Sequence, residues 1–183
     1  MKLTPKNYFK TVNDNTKLQD LVILCPLEWL VADLTDKKPI KWRAARSLIY
    51  REGNYDIVNC TPGSIAVATL SEIKSAGAKK VIFIGTGGGL QNQEPGTLLH
   101  NPKSISVINP YWEHEDWDKI KDFDIVDMES SWLSRVNIPL DIHLIVADRV
   151  YEHEWQPLEL DDKYKAKHKE NIKKLKEVIE KSL

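Results

Sequence analysis

The chain has 183 residues, of which 42% are hydrophobic, and its formal net charge at pH 7 is −1. This length predicts a single domain, residues 1–183, with enough apolar side chains to form a core. The near-zero charge gives no electrostatic reason to expect nucleic acid or an anionic membrane as a partner. No apolar stretch approaches the length of a membrane span, and the first ten residues lack the apolar core of a signal peptide. We therefore expect a cytoplasmic protein.

The two cysteines support the same expectation. Cys25 and Cys60 both lie in apolar runs, where a thiol behaves as a small core side chain. Free thiols of this kind are typical of a reducing compartment such as the cytoplasm.

Apolar runs and helical patterns alternate along the chain. Residues 21–27 predict the first strand, and residues 44–50 predict either a strand or the end of a helix. The elements predicted after these are a strand at 55–60, a helix at 65–76 that Gly77 ends, strands at 81–85, 105–109 and 124–128, a helix at 130–136, a strand at 141–148 and an amphipathic helix from Asp161 onward. This alternation predicts an α/β fold with three layers, in which helices flank a mixed, mostly parallel sheet.

The most informative segment is residues 81–90, where an apolar run meets four closely spaced glycines. The apolar run predicts a strand buried on both faces, and we expect this strand to stop at Gly85. Glycines at the carboxyl end of such a strand let the backbone turn sharply and approach a ligand. We interpret residues 85–89 as a short loop that presents backbone N–H groups to a polar ligand, with a purely structural turn as the alternative.

Two familiar phosphate-binding loops do not fit these glycines. A P-loop ends in Gly-Lys-Ser/Thr, whereas Leu90 and Gln91 follow the glycines here. A dinucleotide-binding fingerprint opens a helix and needs its third glycine at a fixed spacing, whereas residues 91–96 have the composition of a turn. The glycine run therefore indicates a small-molecule site of another kind.

Three carboxylates stand where predicted strands end. Glu28 follows the first predicted strand, Glu129 follows a short later one, and Asp148 ends the last one. Because the carboxyl ends of parallel strands meet at one edge of a sheet, we expect these groups to line the same crevice as the glycines. A helix cap or a surface ion pair is the alternative for each carboxylate taken singly. Asp127 is a rival to Glu129, since spacing alone does not separate them.

The sequences of five segments, and their order along the chain, resemble those of the nucleoside phosphorylase and nucleosidase superfamily. They are nearest to its methylthioadenosine/S-adenosylhomocysteine nucleosidase branch. These segments are residues 24–28, 57–66, 81–90, 127–130 and 145–148. The glycine strand is similar to a family strand that ends in Gly-Ser/Thr-x-Gly-Gly-Leu, and residues 127–130 are similar to its Glu-Met-Glu-Ala/Ser segment. The resemblance spans residues 21 to about 150, and it implies the nucleoside phosphorylase-like fold.

The resemblance also implies a reaction, the cleavage of an N-glycosidic bond in a nucleoside-like small molecule. Asp148 would be the general acid that protonates the departing base, with a pKa raised by its apolar surroundings. Glu28 would orient the attacking water, and Glu129 would accept hydrogen bonds from the ribose hydroxyls. The other substrate-binding residues that the resemblance implies are Met128, Thr86, Gly87, Gly88 and Gly63.

We expect this reaction to need neither cofactor nor metal. Ribosyl C–N cleavage passes through an oxocarbenium-like state, so the base has to be protonated, the sugar stabilised and a water positioned. Histidine-containing acidic clusters occur at 113–116 and 152–154, but adjacent residues in an extended loop rarely point at one ion. Trp29, Trp112 or Trp132 could stack on a purine, although core packing is the commoner role of such residues.

Hydrolysis, phosphorolysis and binding without turnover remain open, and the sequence favours hydrolysis. A phosphorylase binds phosphate, usually with arginine, and hexameric phosphorylases have one just before the glycine run, where this chain has Phe83 and Ile84. The phosphate ligands that remain possible are Arg43, Arg46 and Arg51. The short segment 97–124, which supplies the base-binding loop in the family, favours a protein that only binds a nucleoside. The three strand-end carboxylates favour an enzyme.

Members of this family commonly form dimers or hexamers in which a neighbour completes the pocket. The resemblance therefore implies a homo-oligomer, and six Trp would suit a buried interface. The identity of the base is not indicated, because segment 97–124 and Ala147, where the family has serine, depart from the family pattern.

Overall fold

A computed structural model describes residues 16–42, 46–108, 117–151, 154–157 and 162–183. The strands are β1 (Leu21–Cys25), β2 (Ile40–Trp42), β3 (Ser47–Arg51), β4 (Tyr55–Asn59), β5 (Lys80–Gly89), β6 (Leu98–His100), β7 (Ser104–Ser106), β8 (Ile125–Asp127), β9 (Leu140–Tyr151) and β10 (Glu154–Pro157). The helices are α1 (Glu28–Leu34), α2 (Ser64–Ser75), α3 (Trp117–Ile120), α4 (Ser130–Leu133) and α5 (Asp162–Lys181).

The strands form one mixed sheet with four parallel strands at its centre. β4, β1, β5 and β9 lie side by side and run in the same direction. β3 and then β2 extend the sheet beyond β4, and β10 extends it beyond β9, each antiparallel to the strand it joins. β6 pairs with β9, β8 with the end of β5, and β7 with β8. The predicted α/β fold with a mixed sheet is confirmed.

The side chains of β1 show how the three layers arise. Val22 and Leu24 pack into a core with α2 and α4, whereas Leu21, Ile23 and Cys25 pack into a core with α1 and α5. All five are almost fully buried, because successive side chains of a strand point to opposite faces and both faces are covered here. An uninterrupted apolar run is what such a strand requires. The strand buried on both faces that residues 81–85 predict is confirmed in β5, where Val81 and Phe83 pack into the first of these cores and Ile82 and Ile84 into the second.

The glycine run is part of a strand, so its interpretation as a loop was wrong. β5 does not stop at Gly85 but continues through Gly89, with β9 on one side and β8 on the other. A Cβ atom on Gly87 would lie 2.6 Å from the carbonyl oxygen of Val126, and one on Gly89 would lie 3.0 Å from a methyl group of Val146. The close approach of the β8 backbone therefore accounts for glycine at position 87, whereas a Cβ atom on Gly89 would meet side chains, of which the nearest is that of Gln93 at 2.8 Å.

The last central strand also extends past its predicted end. β9 continues beyond Asp148, so this carboxylate lies within a strand rather than after it. The register between β5 and β9 shifts there, since Gly87 pairs with Val146 whereas Gly88 pairs with Asp148. Ala147 is thus the extra residue of a β-bulge, a feature that increases twist and re-aims the next side chain.

Other predicted elements agree or differ in detail. Of the two alternatives for residues 44–50, the described part is a strand, β3. α2 ends before Gly77, which has a φ of +110° and so fits the predicted stop. α4 is shorter than the predicted helix, and β2, β6 and β10 had no clear strand signal. No helix in the described part of the chain is both long and apolar enough to span a membrane.

Candidate active site

The carboxyl ends of the central strands carry most of the predicted site residues. β1 leads into α1, whose first residue is Glu28, and β4 leads to Gly63 just before α2. Glu129 is the N-cap residue of α4 and lies two residues after the end of β8. The predicted residues of the glycine strand, which are Thr86, Gly87 and Gly88, lie in the second half of β5. Asp148 is the register partner of Gly88 in β9.

Two of these residues are in direct contact. The backbone N–H of Gly63 donates a hydrogen bond of 2.6 Å to Oε1 of Glu129, whose side chain is only 5% exposed. Gly63 has a φ of +79°, a region that favours glycine. The Cε of Met128 lies 3.7 Å from the position that a Cβ on Gly63 would take. Glu129, Gly63 and Met128 therefore lie close together in the fold.

The environment of Glu129 changes its acidity. Burial raises the pKa of this carboxyl group to about 7, the Gly63 N–H opposes the rise, and the charge of Asp127 adds to it. Burial, and to a smaller extent the charge of Glu129, also raises the pKa of the Cys25 and Cys60 thiols. Both cysteines are free and buried, as predicted. A carboxyl group with a pKa near 7 is common at functional sites, because such groups exchange protons at physiological pH.

Asp127 has a different set of contacts from Glu129. Its Oδ1 accepts a hydrogen bond of 2.7 Å from the Ser106 hydroxyl, and its Oδ2 accepts one of 2.8 Å from the Ser130 N–H. Burial raises the pKa of Asp127, while these donors and the N–H of Glu129 lower it. Asp127 is therefore occupied as an internal cap of α4, which supports Glu129 as the acid that faces a ligand.

The two predicted catalytic carboxylates lie on separate elements. Glu28 is exposed in the first turn of α1, where the helix dipole favours a negative charge. Burial, and then the charge of Glu28, raises the pKa of Tyr50 on β3, so these two groups are neighbours. Asp148 is half-buried directly after the bulge residue Ala147. The roles of Glu28 and Asp148, and the raised pKa expected for Asp148, stay predictions.

The tryptophans considered for base stacking differ in their surroundings. Trp29 is 41% exposed and lines a cavity of about 350 Å³ together with Tyr164 and His168 of α5. Trp132 is half-buried in α4, and Trp112 lies outside the described residues. Trp29 is thus the one with a described cavity beside it.

The acidic clusters lie mostly outside the part of the chain that the structure describes. Residues 113–116 and 152–153 belong to the undescribed ranges. Within the described ranges, no group of three or more His, Cys, Asp or Glu side chains is arranged to hold a metal ion.

The arginines considered as phosphate ligands differ in where they lie. Arg51 donates a hydrogen bond of 2.8 Å to the carbonyl of Lys17 and lies 3.9 Å from Asp56, at the amino ends of the central strands. Arg51 is therefore at the wrong edge of the sheet to meet phosphate beside the glycine strand. Arg46 is exposed just before β3, on the side of the sheet where β4 ends, and Arg43 lies outside the described residues.

Sequence reasoning missed two residues near the site, Tyr50 and Ser106. Tyr50 borders Glu28 across the β1–β4–β3 part of the sheet, and Ser106 contacts Asp127 because β7 pairs with β8. Ser106 is 21 residues from Asp127, so no local pattern announces this contact. Only knowledge of the strand register could have found it.

No protein-family model matches the sequence, and no curated protein gives a significant match. Solved structures do match. The chain is similar to AMP nucleosidase from Bacteroides thetaiotaomicron, with a TM-score of 0.65, 15% identity, and coverage of 78% of this chain and 89% of that one. It is similar to the 5'-methylthioadenosine/S-adenosyl homocysteine nucleosidase of Helicobacter pylori, with a TM-score of 0.63, 15% identity, and coverage of 90% and 99%.

A phosphorylase is among the similar structures as well. Purine nucleoside phosphorylase from Toxoplasma gondii, in complex with immucillin-H, gives a TM-score of 0.61 at 15% identity, with coverage of 86% of this chain and 88% of that one. The chain therefore shares the fold of these nucleosidases and this phosphorylase, which confirms the nucleoside phosphorylase-like fold that the sequence resemblance implied. Nucleosidases and a phosphorylase both share it, so the fold alone does not choose between hydrolysis and phosphorolysis.

Proposed function

We propose that this protein is an N-ribosyl hydrolase that cleaves the glycosidic bond of a nucleoside or nucleoside-like small molecule. The observation that carries the proposal is the buried carboxyl group of Glu129, held by the Gly63 N–H at the edge of the sheet where the central strands end. Glu28 on α1 and Asp148 on β9 supply two further carboxylates. The nucleosidases among the similar structures support this class of reaction.

Each carboxylate has a separate role in the proposed reaction. Glu129 accepts hydrogen bonds from the ribose hydroxyls through Oε2, the oxygen that Gly63 does not occupy, and stabilises the developing sugar cation. Asp148 donates a proton to the base as the C–N bond breaks and its electron pair leaves with the base. A water oriented by Glu28 adds to the anomeric carbon and gives its proton to that carboxylate. The products are a free base and a free ribosyl sugar.

Phosphorolysis is the alternative, and one observation favours it. Arg46 is exposed near the end of β4, where a cation could meet a phosphate ion. Hydrolysis is preferred for two reasons. Where hexameric phosphorylases have an arginine, this chain has Phe83 and Ile84, which are fully buried in the strand that leads to the glycines. Arg51 is held at the opposite edge of the sheet.

A base-release assay tests the reaction class. Purified protein is incubated with a panel of purine nucleosides and nucleotides, with and without inorganic phosphate, and free base is measured by chromatography. We expect release without phosphate. Release only in the presence of phosphate would assign the protein to the phosphorylases. Binding with no release from any compound would contradict an enzymatic role.

A matched pair of variants tests the role of Asp148. Asp148→Asn should lower kcat by about 100-fold or more, because the amide cannot protonate the departing base. The control is Asp36→Asn, which changes a carboxylate that is 93% exposed and should leave the rate unaltered. Equal rates in the wild type and in Asp148→Asn would refute the assignment of Asp148 as the general acid.

A further inference from the structure

The start of α4 depends on its neighbours, because the helix is short. α4 has four residues, and a helix of that length is not stable by itself. Glu129, its N-cap residue, does not cap it with its side chain, because its carboxyl group is bonded to Gly63 instead. The capping acceptor is Oδ2 of Asp127, which accepts the Ser130 N–H. The position of Glu129 is thus set by a residue two places before it.

Two serines of β7 tie this cap to the sheet. The Ser106 hydroxyl donates to Asp127 and accepts a hydrogen bond of 2.9 Å from the Ser131 N–H, while the Ser106 N–H donates to the Ser131 hydroxyl at 3.0 Å. The Ser130 hydroxyl donates to that of Ser104 at 2.7 Å. Because Ser106 and Asp127 are register partners in β7 and β8, the pairing of these strands holds the capping carboxylate in place.

We propose that Asp127 is a positioning residue that fixes the backbone at Glu129, so that the Glu129 carboxyl group meets the Gly63 N–H and faces the sugar. This inference rests on the proposed role of Glu129 in binding ribose. Asp127 is 3% exposed, and its two oxygens accept hydrogen bonds from Ser106 and Ser130. It therefore acts through Glu129 and does not touch the substrate.

Asp127 has a second effect, which is electrostatic and separable from the first. Its partners Ser106 and Ser130 are donors, which favours the ionised carboxylate, and its negative charge adds to the rise in the pKa of Glu129. In Asp127→Asn the amide oxygen can still accept from Ser130 and the amide nitrogen can donate to the Ser106 oxygen, so the cap is kept and the charge is lost. Asp127→Ala loses both.

Nuclear magnetic resonance of the substrate-free protein tests this proposal. The Gly63 amide proton reports its hydrogen bond to Glu129, and the Glu129 side-chain carbon reports the pKa of that group. We expect Asp127→Ala to move the Gly63 signal toward the range of an unbonded amide. We expect Asp127→Asn to keep that signal in place and to lower the midpoint of the Glu129 titration by about one pH unit. The exposed control Asp36→Asn should change neither.

A further readout and a second variant complete the test. In active protein, Asp127→Asn should shift the pH profile of KM to lower pH by the same amount as the Glu129 titration, which a merely structural residue would not do. If Asp127→Ala does not fold, Ser106→Ala removes one donor to Asp127 and should weaken the Gly63 contact in the same direction. An unmoved Gly63 signal together with an unmoved Glu129 titration would overturn the inference.

The failure of this inference and the failure of the proposed function are distinguishable. If the wild type releases no base but the signals move as expected, the proposed function fails and the control of Glu129 by Asp127 stands. If the wild type releases base but the signals do not move in either variant, the function stands and the positioning role of Asp127 fails.

Discussion

Glu129 is one of two buried carboxyl groups at the candidate site, and Asp127 is the other. Burial raises the pKa of Glu129 to about 7, and only its ionised form accepts hydrogen bonds from two ribose hydroxyls at once. We therefore expect the affinity for a ribose-bearing ligand to rise as the pH increases through about 7 and to level off above that value. Calorimetric titration with a nucleoside over this range measures the change.

Two variants show whether this pH dependence belongs to Glu129. Glu129→Gln should abolish the rise in affinity near pH 7, here called the step, and should weaken binding at high pH, because the amide carries no negative charge. Glu180→Gln alters an exposed glutamate of α5 and should leave both the step and the affinity as in the wild type. A step that survives in Glu129→Gln would mean that another group titrates on binding.

The glycines of β5 make a second prediction at the scale of single residues. In Gly87→Ala the new methyl group would lie 2.6 Å from the backbone oxygen of Val126, which cannot move without disturbing β8. We expect the free energy of unfolding to fall by about 1–3 kcal/mol, as is typical of overpacking. Urea-induced unfolding measures this loss.

Gly85→Ala is the matched control for that experiment. The nearest atoms to its new methyl group are 3.1–3.3 Å away and belong to the side chains of Phe83 and Leu144, which can shift. The loss of stability should therefore be smaller than in Gly87→Ala. Equal losses in the two variants would show that contact with the β8 backbone is not what requires glycine.

At the scale of elements, the sequence predicts the central strands well because burial acts on every residue of them. The residues of β1 and residues 81–84 of β5 are apolar without interruption, and both faces of these strands are covered there. Strand ends also predicted the places of Glu28 and Glu129, which lie three residues after the end of β1 and two residues after the end of β8. These features are local, and local patterns contain them.

Features that depend on strand register were not predictable from local patterns. Glycines usually mark a turn, yet Gly87 lies in a strand because β8, some 40 residues along the chain, packs against it. The bulge at Ala147 and the contact between Ser106 and Asp127 likewise follow from which residues face each other across paired strands. Contacts of this kind leave no pattern in the local sequence.

The packing of α5 on the sheet gives a prediction for a whole element. Asn171 is 3% exposed on this otherwise charged helix, and its Nδ2 donates a hydrogen bond of 2.7 Å to the carbonyl of Gly96 in the segment before β6. Asn171→Ala leaves that buried carbonyl without its partner and should lower the free energy of unfolding by about 1–3 kcal/mol. Lys173→Ala, at an exposed position of the same helix, should cost much less. Equal unfolding midpoints for the two variants would contradict this role of Asn171.

At the scale of the whole molecule, a second titratable group is buried away from the candidate site. His143 of β9 is 4% exposed and stacks on His100 of β6, with 4.6 Å between the ring centroids. Its Nε2 has no hydrogen-bond partner within the described part of the chain. Burial lowers the pKa of His143 to about 4, the nearby His100 lowers it further, and Asp141 opposes the change. The fold therefore favours the neutral imidazole.

His143 and Glu129 should make stability depend on pH in opposite directions. The unfolded chain binds a proton at His143 near pH 6.5, whereas the folded chain does so only near pH 4, so this residue reduces stability as the pH falls between these values. The full loss is on the order of 3 kcal/mol. The folded chain holds a proton at Glu129 up to about pH 7, whereas the unfolded chain releases it near pH 4.5, so stability from this group is lost as the pH rises.

Because the two effects overlap between about pH 4.5 and 6.5, we expect the wild type to show a shallow dependence of unfolding free energy on pH in that range. His143→Phe keeps a ring against His100 and removes the histidine effect, so this variant should become more stable, relative to neutral pH, as the pH falls. Glu129→Gln removes the opposing effect and should lose stability on acidification more steeply than the wild type. Urea-induced unfolding of the three proteins at several pH values measures these slopes. Parallel slopes in all three would show that neither group couples protonation to folding.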